Sequence, residues 1–291
     1  MAKARQKRRK LPIEYWSYSS LMAYLRNPLT WYKRYVEKVY DLPRTPASVV
    51  GSAGHTALEQ YYLEMQAGRK PDKEAAIASG LRYLRGVSDF ELNFGAAKTK
   101  AAQKKKRASM EREYLQAIGY YLARPPRWKV VGVEVRGMAD HDHLPIALKS
   151  IADLVVESPV EPGALDIVDH KFVDSFSKDG IGKALFLAQA VFNYYVMTRQ
   201  FGKPVRRFVV VECKKTKNTD GRSQIRRYAL DYTSDAAKEA FFVMDRLIHE
   251  ATEELMIGRK YLPNPSDMFE GEHSFDLYRL NLVDSPPNRG R

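Results

Sequence analysis

Residues 146–172 read IALKSIADLVVESPVEPGALDIVDHKF, and this stretch decides the fold. Two runs rich in apolar and β-branched residues, 146–156 and 164–172, lie on either side of a turn that contains Pro162 and Gly163. Such runs are typical of β-strands, and a short connection of this kind joins neighbouring strands of one sheet. The stretch therefore predicts two adjacent strands near the middle of the chain.

Three charged residues interrupt these strands. Asp169 and Lys171 occupy alternate positions on the second strand, so they point to one face, and Asp153 on the first strand can lie opposite Asp169. Charges between apolar neighbours are costly unless they are paired or bind a metal. Two carboxylates can hold a magnesium-sized ion, and an ammonium beside it can activate water and offset charge on a phosphate. The alternative is a plain ion pair at the strand ends, and D-x-K alone does not decide between the two.

The segments around these strands predict a mixed α/β fold, with one central mixed sheet flanked by helices. Residues 128–135 and 205–212 are rich in β-branched residues and predict two further strands, while residues 184–200 predict an apolar helix between them. A helical crossover implies parallel pairing, whereas the turn-like connections imply a meander. Residues 234–258 predict a last long helix.

The rest of the chain is divided by composition. Residues 2–10 carry six basic and no acidic groups, so we expect residues 1–10 to form a flexible basic tail. Residues 11–291 are expected to form a single domain. Its parts are a mostly helical segment (11–127), the catalytic sheet core (128–212), and a C-terminal helix and tail (213–291).

Composition also limits the functional classes. The chain carries 48 Lys+Arg against 35 Asp+Glu, and this charge of +13 attracts polyanions such as nucleic acid. Cys213 is the only cysteine, which excludes an intramolecular disulfide and a multi-cysteine zinc or iron–sulfur site. No apolar stretch approaches the roughly 20 residues that span a bilayer. We therefore expect a cytoplasmic protein that does not associate with membranes.

Six features in a fixed order resemble the RecB-like branch of the PD-(D/E)XK nuclease superfamily. In chain order they are a serine-led aromatic helix, a G-x-x-x-H helix, a glutamate strand, an aspartate strand, a D-x-K strand and a glutamine helix. They read here SYSSLMAYLRNPLTWYKRYV, Gly51 to His55, Glu134 in VVGVEV, Asp153 in SIADLVV, Asp169-His170-Lys171 in LDIVDHK, and Gln189 in LAQAVFNYYV. The resemblance implies a restriction-endonuclease-like core with an N-terminal helical elaboration.

The resemblance also implies roles for the matching residues. The implied ligands of Mg²⁺ or Mn²⁺ are His55, Asp153 and Asp169. The implied catalytic residues are Asp153, Asp169, Lys171 and Gln189.

The resemblance also implies supporting residues, and at some positions this sequence differs from the family pattern. Glu134 and Tyr194 are implied to support the site, although the residue four after Gln189, where the family has tyrosine, is Asn193. The iron–sulfur cysteines of several branches are absent, since Asn27 stands at the N-terminal cysteine position and the C-terminal tail has none. The resemblance therefore implies a member without an iron–sulfur cluster.

The implied function is a DNA exonuclease in recombination, repair or phage DNA processing, in a bacterial or phage-infected cell. Its expected partners are DNA and a recombination or single-strand-binding protein. The run Lys104, Lys105, Lys106 and Arg107 is expected to contact nucleic acid as a group, with a solvated helix face as the alternative for each. Two other functions remain open, a non-catalytic nucleic-acid-binding subunit of a recombination or helicase complex and an RNA-directed nuclease.

Overall fold

The computed structural model describes residues 11–39, 43–141, 146–219, 221–258 and 261–262. The strands are β1 (Tyr15–Ser17), β2 (Val130–Asp140), β3 (Ala147–Glu157), β4 (Leu165–Val173), β5 (Val205–Lys214) and β6 (Ile225–Asp231). The α-helices are α1 (Tyr18–Arg26), α2 (Pro28–Trp31), α3 (Pro46–Gln66), α4 (Lys73–Gly86), α5 (Lys100–Ala123), α6 (Ala184–Phe201) and α7 (Asp235–Ile257). Among these described helices, none has both the length and the apolar character needed to cross a bilayer. The predicted basic tail, 1–10, and most of the predicted C-terminal tail lie outside the described residues.

The strands pair as a mixed sheet. β3 and β4 are antiparallel, β4 and β5 are parallel, and β5 and β6 are antiparallel, while β2 also pairs with β3. The parallel pair is joined by α6, as a same-direction connection requires. The predicted mixed α/β fold, with a central mixed sheet flanked by helices, is confirmed.

Contacts divide the chain into two compact units. The first comprises residues 1–41, 140–149 and 242–291. Its described part has a core of aromatic rings, in which Trp31 lies 5.5 Å from Trp16 and 5.1 Å from Tyr24 between ring centroids. Both indoles are buried, and each N–H is satisfied, Trp16 by the Thr252 hydroxyl at 3.0 Å and Trp31 by a serine hydroxyl at 2.8 Å. β1 pairs in parallel with the start of β3 in this unit.

The second unit comprises residues 42–139 and 150–241 and contains α3 to α6 and most of the sheet. Its apolar core is formed by side chains of α3, α4 and α5 together with β3, β4 and β5. Two glycines allow close approach at α3. A Cβ on Gly54 would overlap the Phe172 ring, and a Cβ on Gly80 of α4 would overlap the backbone oxygen of Ala53. These contacts fix the position of the helix that carries His55.

Two strands were missed by the sequence prediction. β1 has only three residues, too few to show an alternating pattern. β6 reads IRRYALD and was assigned to the C-terminal segment, because its arginines break the apolar pattern. Since β6 pairs only with β5 within the described sheet, it is an edge strand there, and edge strands tolerate charged side chains.

The close approach of α4 and α3 predicts a contrast between two helical glycines. We expect Gly80→Ala to lower the free energy of unfolding by about 2 kcal/mol, because the new methyl group meets a backbone oxygen that cannot rotate away. Gly119→Ala on α5 should raise it by about 0.5–1 kcal/mol, because a Cβ there meets no atom within 4 Å and alanine favours the helix. Urea unfolding measures both. Similar effects of the two substitutions would contradict the close approach.

Candidate active site

Three side chains from different elements bring metal-binding atoms together. His55 on α3, Glu134 on β2 and Asp153 on β3 each offer a donor atom, and these atoms all lie within 4.8 Å of one another. One imidazole nitrogen and two carboxylate oxygens form a donor set that suits a divalent cation such as Mn²⁺, and the carboxylates also suit Mg²⁺. The residues present therefore fit a metal centre at this place.

Asp153 lies at the centre of this cluster. Its Oδ2 accepts a hydrogen bond from the backbone N–H of His170 at 2.7 Å and lies 3.3 Å from Nδ1 of His55. Burial alone would raise the pKa of Asp153, but the positive charge of His55 and the contacts with His170 hold it well below its usual range. Burial lowers the pKa of His55, yet the attraction of Asp153 outweighs it and raises the value to about 9. Asp153 is therefore held as a charged carboxylate, stabilised by the positive His55 and by the donors around it.

Glu134 reaches the cluster from a strained backbone. Its φ of 47° is in the left-handed region, which a residue with a Cβ adopts at a cost. A strand residue in this conformation interrupts the regular alternation of side chains. Burial, with repulsion from Asp153, raises the pKa of Glu134 to about 7. A cation would relieve this repulsion, which is a second reason that the donor set fits a metal.

Asp169 belongs to a different arrangement. Its carboxylate is buried and lies 2.8 Å from Nζ of Lys171 at one oxygen, while the other accepts a hydrogen bond from the amide of Gln189 on α6. Burial, opposed by Lys171 and reinforced by Asp153, raises the pKa of Asp169. Among the described residues, the three whose donor atoms converge are His55, Asp153 and Glu134, and the role of Asp169 as a metal ligand stays a prediction. Glu134 occupies that group, and Asp169 fixes the lysine.

His170 has a role that the sequence did not indicate. Its ring is buried, its Nε2 lies 2.8 Å from the hydroxyl of Tyr121 on α5, and that hydroxyl lies 2.7 Å from the hydroxyl of Tyr62 on α3. The His170 ring also stacks on Tyr62, with 5.9 Å between centroids. This chain of hydrogen bonds joins the strand of Asp169 and Lys171 to two helices. The signal available in the sequence was a histidine that shares a strand face with two apolar residues, Val168 and Phe172.

Asn193 and Tyr194, the residues of α6 near the family's tyrosine position, make different contacts. Asn193, at the position of the family's tyrosine, is buried and donates its amide to the backbone oxygen of Gln189 at 3.0 Å. Tyr194 instead packs against Tyr232 and Phe241, with centroid distances of 4.7 and 5.0 Å. The aromatic side chain next to Asn193 is therefore part of a ring cluster.

The basic residues of α5 differ in their exposure and in their contacts. Lys104 and Lys105 are exposed. Arg107 forms an ion pair with Asp89 at 2.7 Å and donates to the backbone oxygen of Val87 at 2.6 Å. Arg107 therefore anchors the segment between α4 and α5, while the two exposed lysines are accessible to a polyanion.

Comparisons with known proteins identify a matching family model and similar solved structures. The sequence matches the model described as "PD-(D/E)XK nuclease superfamily" over residues 15–267. The structure is similar to that of a candidate exonuclease from Eubacterium rectale, with a TM-score of 0.51, 14% identity, and coverage of 94% of this chain and 90% of that chain. The structure of SSO0001 aligns with a TM-score of 0.31 at 13% identity, covering 93% of this chain and 94% of that chain. Curated proteins gave no significant match.

The left-handed backbone at Glu134 predicts opposite effects on stability and metal binding. We expect Glu134→Gly to raise the free energy of unfolding by about 1 kcal/mol, since glycine adopts this φ without strain. It should also weaken Mn²⁺ binding by about tenfold or more, because one carboxylate is lost. Urea unfolding without metal and titration calorimetry with Mn²⁺ measure the two effects. Lys38→Gly is the matched control, because Lys38 has a φ of 60° and should show only the stability gain. An unchanged Mn²⁺ affinity in Glu134→Gly would exclude Glu134 as a ligand.

Proposed function

The chain belongs to the PD-(D/E)XK nuclease superfamily, and we propose from this that it is a Mg²⁺- or Mn²⁺-dependent DNA exonuclease of the RecB-like type. The observation that supports the proposal best is that Lys171, which pairs with Asp169, is close enough to His55 for its charge to act on the pKa of that histidine, one of three side chains that could hold a metal. We further propose that it acts in recombination, repair or phage DNA processing.

The metal would be held by His55, Glu134 and Asp153. When bound, a divalent cation supplies Lewis-acid stabilisation to the negative charge of the phosphoryl oxygens. The protein holds these ligands in place before a metal arrives, since Asp153 is fixed by the backbone N–H of the adjacent strand at 2.7 Å. Ligands that are already oriented lose less freedom when they bind.

Lys171 would stabilise the reacting phosphate by its charge. Its side chain is 28% exposed, whereas that of Asp169 is 4% exposed, so the ammonium is accessible from solvent and the carboxylate is not. Gln189 thus holds Asp169, and Asp169 holds Lys171, so that of these groups only the ammonium is accessible to a substrate. A positive group that is already in position can stabilise the charge that develops on the phosphate oxygens during attack by water. We also propose the exposed Lys104 and Lys105 as phosphate contacts outside the site.

Two substitutions test the catalytic assignment. Lys171→Gln and Asp169→Asn should each lower the rate of degradation of linear DNA by about 100-fold or more, because a preorganised charge or its support is removed. Release of acid-soluble nucleotides in Mg²⁺ or Mn²⁺ measures the rate, and EDTA should abolish it. Lys129→Gln is the matched control, because its side chain is 82% exposed and pairs only weakly with Glu157 at 3.2 Å.

Different outcomes contradict different parts of the proposal. Full activity of both active-site variants would overturn the catalytic assignment. Cleavage of covalently closed circular DNA would exclude an obligate exonuclease, and faster digestion of RNA of matched sequence would exclude the deoxyribonuclease assignment. Salt-dependent DNA binding without cleavage in any divalent metal would indicate a non-catalytic binding subunit.

A further inference from the structure

The end of β5, the start of β6 and the segment between them are together strongly basic. Residues 214–227 read KKTKNTDGRSQIRR, with six basic residues and one acidic residue. Arg226 and Arg227 of β6 are both exposed. This density of positive charge at the end of a sheet is typical of a surface that contacts phosphates.

Strand register places one of these arginines on the face of the catalytic lysine. Lys171 of β4 pairs with Glu212 of β5, and Glu212 pairs with Arg226 of β6. Residues paired directly across a sheet share a face, so Arg226 lies on the side of Lys171, two strand spacings or about 10 Å away. Arg227 points to the opposite face, where its guanidinium lies 5.5 Å from the centre of the Trp128 ring.

An aromatic ring lies beside Arg226. Phe176 follows β4 by three residues, and its ring centre lies 4.5 Å from the guanidinium carbon of Arg226 and 5.8 Å from Nζ of Lys214. The ring is half-buried, so part of its surface is open. An aromatic side chain beside two cations combines a stacking surface for a base with contacts for the adjacent phosphates.

The loop that carries Phe176 is held by hydrogen bonds to side chains of the neighbouring strands. Glu212 is fully buried, and its carboxyl group accepts hydrogen bonds from the backbone N–H of Ser177, at 2.8 Å, and from the Ser177 hydroxyl. The hydroxyl of Tyr228 donates to the backbone oxygen of Ser177 at 3.3 Å. Asp174 of the same loop pairs with Lys215 at 2.9 Å, so this carboxylate and that of Glu212 both have partners. The loop is thus fixed beside Arg226, which is exposed, and beside Lys214, which is partly buried and donates to Asn218.

We infer that Phe176, Arg226 and Lys214 form a subsite that binds single-stranded DNA adjacent to the phosphate at Lys171. Phe176 stacks on a base, and the two cations contact the phosphates on either side of it. The inference rests on the proposed nuclease function, since it identifies the substrate as a strand that enters the site with its bases unpaired. A duplex would not present a base to the ring.

The two neighbouring arginines provide a test with a matched control. Binding of a fluorescent single-stranded oligonucleotide is measured in EDTA at several salt concentrations, so that no cleavage occurs. Arg226→Ala should reduce the slope of log Kd against log salt by about 0.7, the value for one lost phosphate contact on a single strand. Arg227→Ala removes the same charge from the next residue on the opposite face and should leave that slope unchanged. Equal losses in the two variants, or none in Arg226→Ala, would overturn the subsite.

Phe176 is tested by removal and by conservative replacement. Phe176→Ala should weaken single-strand binding by at least about fivefold, whereas Phe176→Tyr should retain the wild-type Kd, since it keeps the stacking surface. Circular dichroism and thermal unfolding confirm that each variant is folded. If Phe176→Ala and Phe176→Tyr both bind like the wild type, the stacking role is wrong.

The result also separates the two proposals. If the wild type degrades DNA and Arg226→Ala binds normally, the subsite is wrong and the nuclease function stands. If the wild type cleaves nothing but binding depends on Arg226 and Phe176, the nuclease function is wrong and the binding surface is supported.

Discussion

The structure depends on the cost of burying two carboxylates at neighbouring positions of one sheet. A buried charge is destabilising unless an opposite charge or a set of hydrogen bonds compensates it. Asp153 and Asp169 repel each other, and each has partners of its own. Asp153 has an imidazole and a backbone N–H, while Asp169 has an ammonium and a side-chain amide. This separation of partners divides the site into a half that can hold a metal and a half that holds a lysine.

Two helices position the side chains that form the two halves of the site. α3 supplies the imidazole of His55, and its position is set by the glycine contacts and by the hydrogen bonds from Tyr62 through Tyr121 to His170. α6 supplies Gln189, and it lies there because the parallel pairing of β4 and β5 requires a helical crossover. Each half of the site is therefore held by a different helix. A change in one helix can alter metal binding or the position of Lys171 separately.

The sequence predicted most reliably what depends on local periodicity. The placement of Asp169 and Lys171 on one strand follows from alternation, and the mixed sheet follows from the order of strands and helices. Gln189 entered only through the family resemblance, because a glutamine on an apolar helix has no distinctive pattern. The position of Glu134 among the side chains that could hold a metal was not predictable, because it depends on a backbone angle of 47° that no residue type encodes. The strand β6 was missed because charged edge strands have the composition of loops.

The register of β4, β5 and β6 places a buried acid, Glu212, next to Lys171. Glu212 is paired with Lys171 across the sheet, and a free carboxylate there would compete with Asp169 for the ammonium. Both of its oxygens are instead occupied by Ser177, which lies in the loop after β4. The same hydrogen bonds therefore keep Lys171 available to Asp169 and hold Phe176 beside Arg226. The pairing of Lys171 with Asp169 and the position of Phe176 thus both depend on where Glu212 directs its carboxyl group.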